Sequence, residues 1–238
     1  MTTGGGARTS LARWSQALVE FVFPAQCLGC GRHGSYLCPD CQASLPSVVP
    51  PICFRCGLPL GHGVLCPDCR AGTGALDGIR SPYLMSGLMR EAVHHLKYRN
   101  LKALAPVLGE LMARYLSLNP LPAEALVPVP LHGSRLRERG YNQAELLARE
   151  VGKRMGLPVL KTGLARERPA HPQARAASAA QRRANVEGAF LCPDRLDGLS
   201  VLLVDDVCTT GATLDACAVA LRAAGAASVW GVTLAREA

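Results

Sequence analysis

Eight of the eleven cysteines in this 238-residue chain fall into four CxxC pairs: Cys27/Cys30, Cys38/Cys41, Cys53/Cys56 and Cys66/Cys69. Two thiolates two residues apart on a tight knuckle can both point at one Zn²⁺ ion, and two knuckles complete a tetrahedron. The halves CxxC-x7-CxxC and CxxC-x9-CxxC repeat in order and spacing, which indicates an internal duplication. Residues 25–72 are therefore expected to form tandem zinc ribbons. Gly31 and Gly57 each follow the second thiolate of a knuckle, where a turn calls for positive φ. In LCPDCQ and LCPDCR a Pro-Asp pair lies inside the knuckle and fixes it. Eight thiolates fill two sites, so His33 and His62 read as loop residues and no coordination position stays open for catalysis. Two pairings satisfy the spacing: sequential, with Cys27, Cys30, Cys38 and Cys41 on one ion and Cys53, Cys56, Cys66 and Cys69 on the other, or a cross-brace.

Disulfides are the competing use of so many cysteines, and they belong to small exported domains. The N-terminal stretch MTTGGGARTSLARWSQALVEFVFPAQ lacks a continuous apolar region followed by a small-residue cleavage site. Its apolar run Ala17 to Pro24 is interrupted by Glu20 and falls short of the roughly 20 residues that a spanning helix needs. The expectation is a cytoplasmic protein without a membrane span, whose residues 1–24 are a tail with a short amphipathic helix.

The net charge of +8 is unevenly placed. Between His132 and Arg195 there are 13 Lys and Arg against 6 Asp and Glu, a local balance of +7. A patch of this kind favours a polyanion, either nucleic acid or a phosphorylated small molecule.

From about residue 75 the pattern changes to alternating strands and helices. Strands are expected at 79–85, 126–131, 201–204 and 228–234. Helices are expected at 88–98, at 103–118 with Pro106 in its first turn, at 141–155 ahead of Gly156, and at 212–224. Such alternation predicts an α/β domain over 75–238 with a mostly parallel sheet, in which ligands bind at the carboxyl ends of strands. The polar, Ala- and Arg-rich segment Arg166 to Gly188 has the length and composition of a functional lid.

The stretch VLLVDDVCTTGATL, Val201 to Leu214, sets two adjacent carboxylates at the end of a buried strand and follows them with a Thr- and Gly-containing turn into a helix. A receiver-type Mg²⁺ site begins similarly but needs further strands, and only 32 residues follow Asp206. The turn Thr209 to Thr213 suits a phosphate cradle: N–H groups at a helix N-terminus point outward together and the helix dipole adds positive charge. The hydroxyls of Thr209, Thr210 and Thr213 add donors. Asp205 and Asp206 would then accept hydrogen bonds from the vicinal hydroxyls of a sugar phosphate, so that hydroxyls rather than a protein cation meet the two charges.

This stretch closely resembles the phosphoribosyl diphosphate signature of type I phosphoribosyltransferases. With the CxxC ribbons, HHLKYR, VPVPLHGSRLRERGYNQ and QRRANVEGAF, the chain resembles the ComF (ComFC) family nearly end to end. The resemblance implies a type I phosphoribosyltransferase-like sheet flanked by helices, with a small N-terminal zinc-ribbon module. It implies that Asp205 and Asp206 hold ribose hydroxyls and that Thr209, Thr210, Gly211, Ala212 and Thr213 form the 5'-phosphate loop. The loop around Leu131 to Arg135 would be the diphosphate loop, with Arg135, Arg137 and Arg139 nearby. Gln173, Arg182, Arg183 and Asn185 would belong to a mobile hood, and Lys97 would contact phosphate or nucleic acid. Mg²⁺ would bridge the diphosphate and the ribose hydroxyls. In transfer chemistry, Arg137, Arg139, Arg182 and Arg183 would hold the diphosphate leaving group while water is excluded.

The resemblance also brings natural competence: an accessory of DNA uptake acting on internalised single-stranded DNA beside a helicase-like protein of the ComF operon. Two further readings are an active phosphoribosyltransferase on an unidentified acceptor and a ligand-sensing adaptor without turnover. Purine-base phosphoribosyltransferases commonly have a carboxylate at the position matching Thr209, so this chain lacks the obvious acid or base for such an acceptor.

Overall fold

The computed structural model describes residues 24–72, 74–161, 164–166 and 188–237. The chain divides into two compact units, Met1–Leu45 and Pro46–Ala238. The tail and amphipathic helix expected over 1–24 fall almost wholly outside the described residues.

In the first unit, residues 24–45 form one ribbon. A knuckle at Cys27 to Gly31 is closed by the Gly31 N–H donating to the Cys27 carbonyl at 2.8 Å, and Gln26 bridges His33 in antiparallel fashion. The Pro-Asp pair opens a five-residue helix, α1 (Pro39–Ala43), with Pro in its first turn, where the missing N–H costs nothing.

The second unit opens with the same device. Its knuckle, Cys53 to Gly57, is closed by a 2.8 Å bond from the Gly57 N–H to the Cys53 carbonyl, and α2 (Pro67–Ala71) repeats α1. Five parallel strands follow: β1 (Gly78–Arg80), β2 (Tyr83–Leu84), β3 (Ala125–Pro128), β6 (Ser200–Cys208) and β7 (Ser228–Arg236). The order is β1-β7-β6-β3, with β2 continuing the edge along the far end of β7. A two-stranded antiparallel ladder, β4 (Ala165–Arg166) with β5 (Phe190–Leu191), lies apart from this sheet.

The strand expected over 79–85 is split because Pro82 has no N–H to donate to the ladder. At the gap the buried Ser81 and Thr233 hydroxyls meet at 2.6 Å, which satisfies two polar groups that would otherwise be stranded.

One face of the sheet carries α3 (Gly87–Tyr98), α4 (Ala105–Leu118) and α6 (Gln143–Met155). The buried positions Ala144, Leu147, Ala148 and Val151 of α6 recur every three or four residues, the spacing of one helix face. They pack with Leu108, Leu111 and Met112 of α4 over Leu126 and Leu202, all fully or nearly fully buried. The other face carries α7 (Ala212–Ala223), whose Leu214, Cys217, Ala218 and Leu221 pack with Val201 and Leu203.

A short helix, α5 (Gly133–Arg139), occupies sequence expected to be a loop. Its start is capped by His132, whose Nδ1 accepts from the Ser134 N–H at 3.3 Å. Ser, Arg, Leu and Glu can all be helical, and only the capped entry and the left-handed Gly140 at the exit mark its ends.

Candidate functional site

The eight knuckle cysteines form two clusters, Cys27, Cys30, Cys38, Cys41 and Cys53, Cys56, Cys66, Cys69, each with all four sulfurs within 4.8 Å of one another. The arrangement is sequential, not cross-braced. Tetrahedral zinc with Zn–S bonds of about 2.3 Å sets sulfurs about 3.8 Å apart. Cys30 and Cys38 lie 3.6 Å apart, and Cys56 and Cys66 lie 3.7 Å apart. The backbone N–H groups of Cys38 and Cys66 donate to the sulfurs of Cys27 and Cys53 at 3.4 Å in both clusters. Although burial opposes the charge, such backbone donors pull the Cys27 and Cys53 thiols down to about 6. The residues fit zinc, and each cluster is a structural four-thiolate site.

The second ribbon is built onto the sheet edge. The Ile79 N–H donates to the Arg55 carbonyl at 2.7 Å, Arg80 donates to the Phe54 carbonyl at 2.9 Å, and the buried Arg236 donates to the Cys56 carbonyl. Arg55 in turn spans the carbonyls of Gly72 and Gly74, both at 2.6 Å. From α7, Asp215 accepts from the backbone N–H of Ala75 at 2.8 Å and of Leu76 at 3.3 Å.

The acidic pair lies inside a strand, not at its end. β6 pairs with β3 only as far as Val204, opposite Pro128, yet it stays paired with β7 through Cys208, opposite Arg236. Asp205 and Asp206 therefore stand where β3 has left and one side of β6 is open. Successive strand residues point to opposite faces. Asp206 points to the face of α3 and α6 and is 2% exposed, whereas Asp205 is half-buried on the face of α7.

Contrary to the expectation that only hydroxyls meet the pair, a protein cation meets Asp206. The Lys97 Nζ stands 2.6 Å from Asp206 Oδ2, and Gln143 Nε2 donates to Asp206 Oδ1 at 3.4 Å. Arg139 donates to the Gln143 side-chain carbonyl, and the Tyr141 hydroxyl donates to the Leu96 carbonyl beside Lys97. Burial pushes both carboxyls up. In Asp206 the Lys97 charge and the hydrogen bonds overcome it and hold the group below the ordinary range. In Asp205 burial and the neighbouring Asp206 charge act together, and its carboxyl is raised well above that range.

The chain then turns at Thr209 to Gly211 into α7. Gly211 takes φ 78°, and a Cβ there would come within 2.8 Å of the Ile79 side chain. The Thr210 hydroxyl accepts from the Ala212 N–H at 3.4 Å, Thr209 is exposed, and Thr213 is half-buried. A cleft of about 140 Å³ opens beside this turn, lined by Thr210, Gly211, Ala212, Ile79 and Arg55, and it reaches Cys56 and Cys69 of the second cluster.

Of the basic candidates, Arg135 and Arg137 are exposed on α5. Arg139 and Lys97 are turned inward onto Gln143 and Asp206. Gln173, Arg182, Arg183 and Asn185 lie outside the described residues. Sequence reasoning missed Gln143, whose polar side chain in an otherwise apolar face of α6 was the available signal.

Two family models match: a double zinc ribbon domain over residues 18–70 and a phosphoribosyl transferase domain over 137–238. The chain is 32% identical over 212 residues to the competence protein F of Haemophilus influenzae, covering 82% of this chain and 89% of that one. The chain belongs to the ComF family. The DNA utilization protein YhgH of Salmonella typhi is 33% identical over 185 residues, 75% of this chain and 81% of its own. The competence protein ComFC of Bacillus subtilis is 29% identical over 209 residues, 84% of either chain. In ComF-family terms, the match to the transferase domain begins within α5 and takes in α6, β6 with its acidic pair, and α7. No helix among the described residues is long and apolar enough to cross a membrane.

Proposed function

We infer that the α/β unit of this ComF-family chain binds phosphoribosyl diphosphate with Mg²⁺, and that the protein serves DNA uptake in natural transformation. In this reading it is a cytoplasmic accessory of internalised single-stranded DNA, working beside a helicase-like partner. The carrying observation is the strand, acid and loop sequence on one face: Asp205 on β6, then Thr209 to Thr213 at the start of α7, at the carboxyl end of a parallel sheet. Backbone N–H groups there suit a 5'-phosphate, and Asp205 suits a ribose hydroxyl one sugar ring away. Asp205 also offers the hard oxygen that Mg²⁺ prefers, and the diphosphate supplies further oxygens. Arg135 and Arg137, exposed on α5, are the basic side chains available for the diphosphate. The DNA half is supported by the competence and DNA-utilization names of the relatives and by the basic 132–195 segment.

Calorimetric titration of the zinc-loaded protein with phosphoribosyl diphosphate and Mg²⁺ tests the first half. Saturable binding that is lost in Asp205→Asn is expected, and absence of binding with and without Mg²⁺ overturns it. Binding of single-stranded DNA should weaken steeply with salt, and a salt-independent or absent signal counts against the second half.

A transferase reading stands second because Thr209, exposed beside the phosphate turn, brings no titratable group to an acceptor. Diphosphate release in the presence of cell extract would reverse this ranking. Ligand binding without turnover, together with a ligand-dependent change in partner affinity, would favour the adaptor.

A further inference from the structure

We propose that Asp206 is a positioning residue and not a ligand contact: it anchors a relay Lys97–Asp206–Gln143–Arg139, and of the two adjacent acids only Asp205 is presented to ligand. The assignment of the ligand rests on the phosphoribosyl diphosphate reading above; the anchor itself does not.

Three observations carry it. The alternation of β6 sends the two carboxylates to opposite sheet faces. Val201 and Leu203 share the α7 side, and by the same period so does Asp205, next to the turn that opens α7. Asp206 is on the other side, buried to 2%. Both of its oxygens already have partners, Lys97 at 2.6 Å and Gln143 at 3.4 Å. Finally, the relay joins four elements: α3 through Lys97, β6 through Asp206, α6 through Gln143, and α5 through Arg139. α5 carries Arg135 and Arg137, so the relay ties the helix bearing the exposed arginines to the strand bearing Asp205. A ligand hydroxyl could reach Asp206 only by displacing Lys97 or Gln143 and leaving a buried charge or amide without a partner, which is unfavourable.

A double-mutant cycle on the full-length zinc-loaded protein tests this, with melting temperature and calorimetric affinity read on the same samples. Lys97→Met and Asp206→Asn should each lower the melting temperature by on the order of 10 °C, because each strands a buried partner. Lys97→Met/Asp206→Asn should recover more than half of that loss, and its affinities for phosphoribosyl diphosphate and for ribose 5-phosphate should be within about threefold of the parent. Asp205→Asn should lose at least tenfold in affinity for both ligands without any loss of melting temperature. Gln143→Met should weaken both ligands by the same factor, since it acts through the acid side of the site; a loss confined to the diphosphate ester would mean direct leaving-group contact.

Additive melting losses in the double variant overturn the anchor. A double variant that melts normally but binds as weakly as Asp205→Asn makes Asp206 a ligand contact and also overturns it. If the parent protein binds neither sugar phosphate, the ligand reading fails, and the melting cycle alone decides for or against the anchor.

Discussion

Gly57 stands so close to Ile79 that a Cβ on it would lie 2.7 Å from the Ile79 carbonyl oxygen. Gly31, at the matching position of the first ribbon, has the same left-handed backbone, φ 73° against 72°, but nothing within 4 Å of its would-be Cβ. The duplicated knuckles are alike in their metal geometry and differ in what they lean on. Gly31→Ala should cost only the left-handed penalty, about 1–2 kcal/mol. Gly57→Ala meets backbone as well and should cost clearly more. Denaturant titration of both variants checks this, and equal losses would contradict it.

Zinc loss should report through Trp230. Arg80 lies over the Trp230 ring at 5.0 Å and the Phe54 ring at 5.7 Å, linking a knuckle residue to the strand β7. In a Trp14→Phe background, Cys53→Ser/Cys56→Ser should reduce bound zinc from two ions per chain to one and change the Trp230 emission. Atomic absorption and fluorescence on the same samples decide it; unchanged emission at one zinc would show that the second site does not organise the edge.

The acidic pair gives a signed pH prediction. The depressed Asp206 contributes stability above the unfolded carboxylate value of about 3.9 and loses it as pH falls through its lower folded value. The raised Asp205 works in the opposite direction: its cost is absent below about pH 4, grows as pH rises, and levels off above its folded value. Asp205→Asn should therefore match the parent in stability below pH 4 and exceed it increasingly toward neutrality. Urea titrations at pH 4 and pH 7 that differ from the parent by the same amount would refute this.

Gly211→Ala should damage ligand binding more than folding. The substitution meets an unfavourable φ and the Ile79 side chain at 2.8 Å, so the turn before α7 must shift, at about 1–2 kcal/mol. Affinity for phosphoribosyl diphosphate should fall at least tenfold while zinc content stays at two. Parent-like affinity would place the phosphate elsewhere.

Local patterns in this chain were legible because their physics is local. A CxxC spacing specifies a knuckle, a Gly after it specifies φ, and VLLV followed by TTGA specifies a strand and a helix start. The sheet class followed from alternation. What escaped is non-local. Lys97 and Asp206 are brought together by the packing of α3 against the sheet, and nothing in either segment announces the other. The continuation of β6 to Cys208 depends on the length of β7, and a strand end read from apolar residues alone stops at Val204. α5 was missed because a seven-residue helix has almost no periodicity to display.

The seam between the second ribbon and the sheet also decides how the molecule can be taken apart. The composition of the chain invites a cut near residue 73, between cysteine-rich and α/β sequence. Such a cut would remove the carbonyls of Phe54, Arg55 and Cys56 that receive Arg80, Ile79 and Arg236, and would leave the buried guanidinium of Arg236 without its acceptor. A fragment starting at Pro46 keeps them all. The gene thus carries two copies of one ornament, of which one has become masonry.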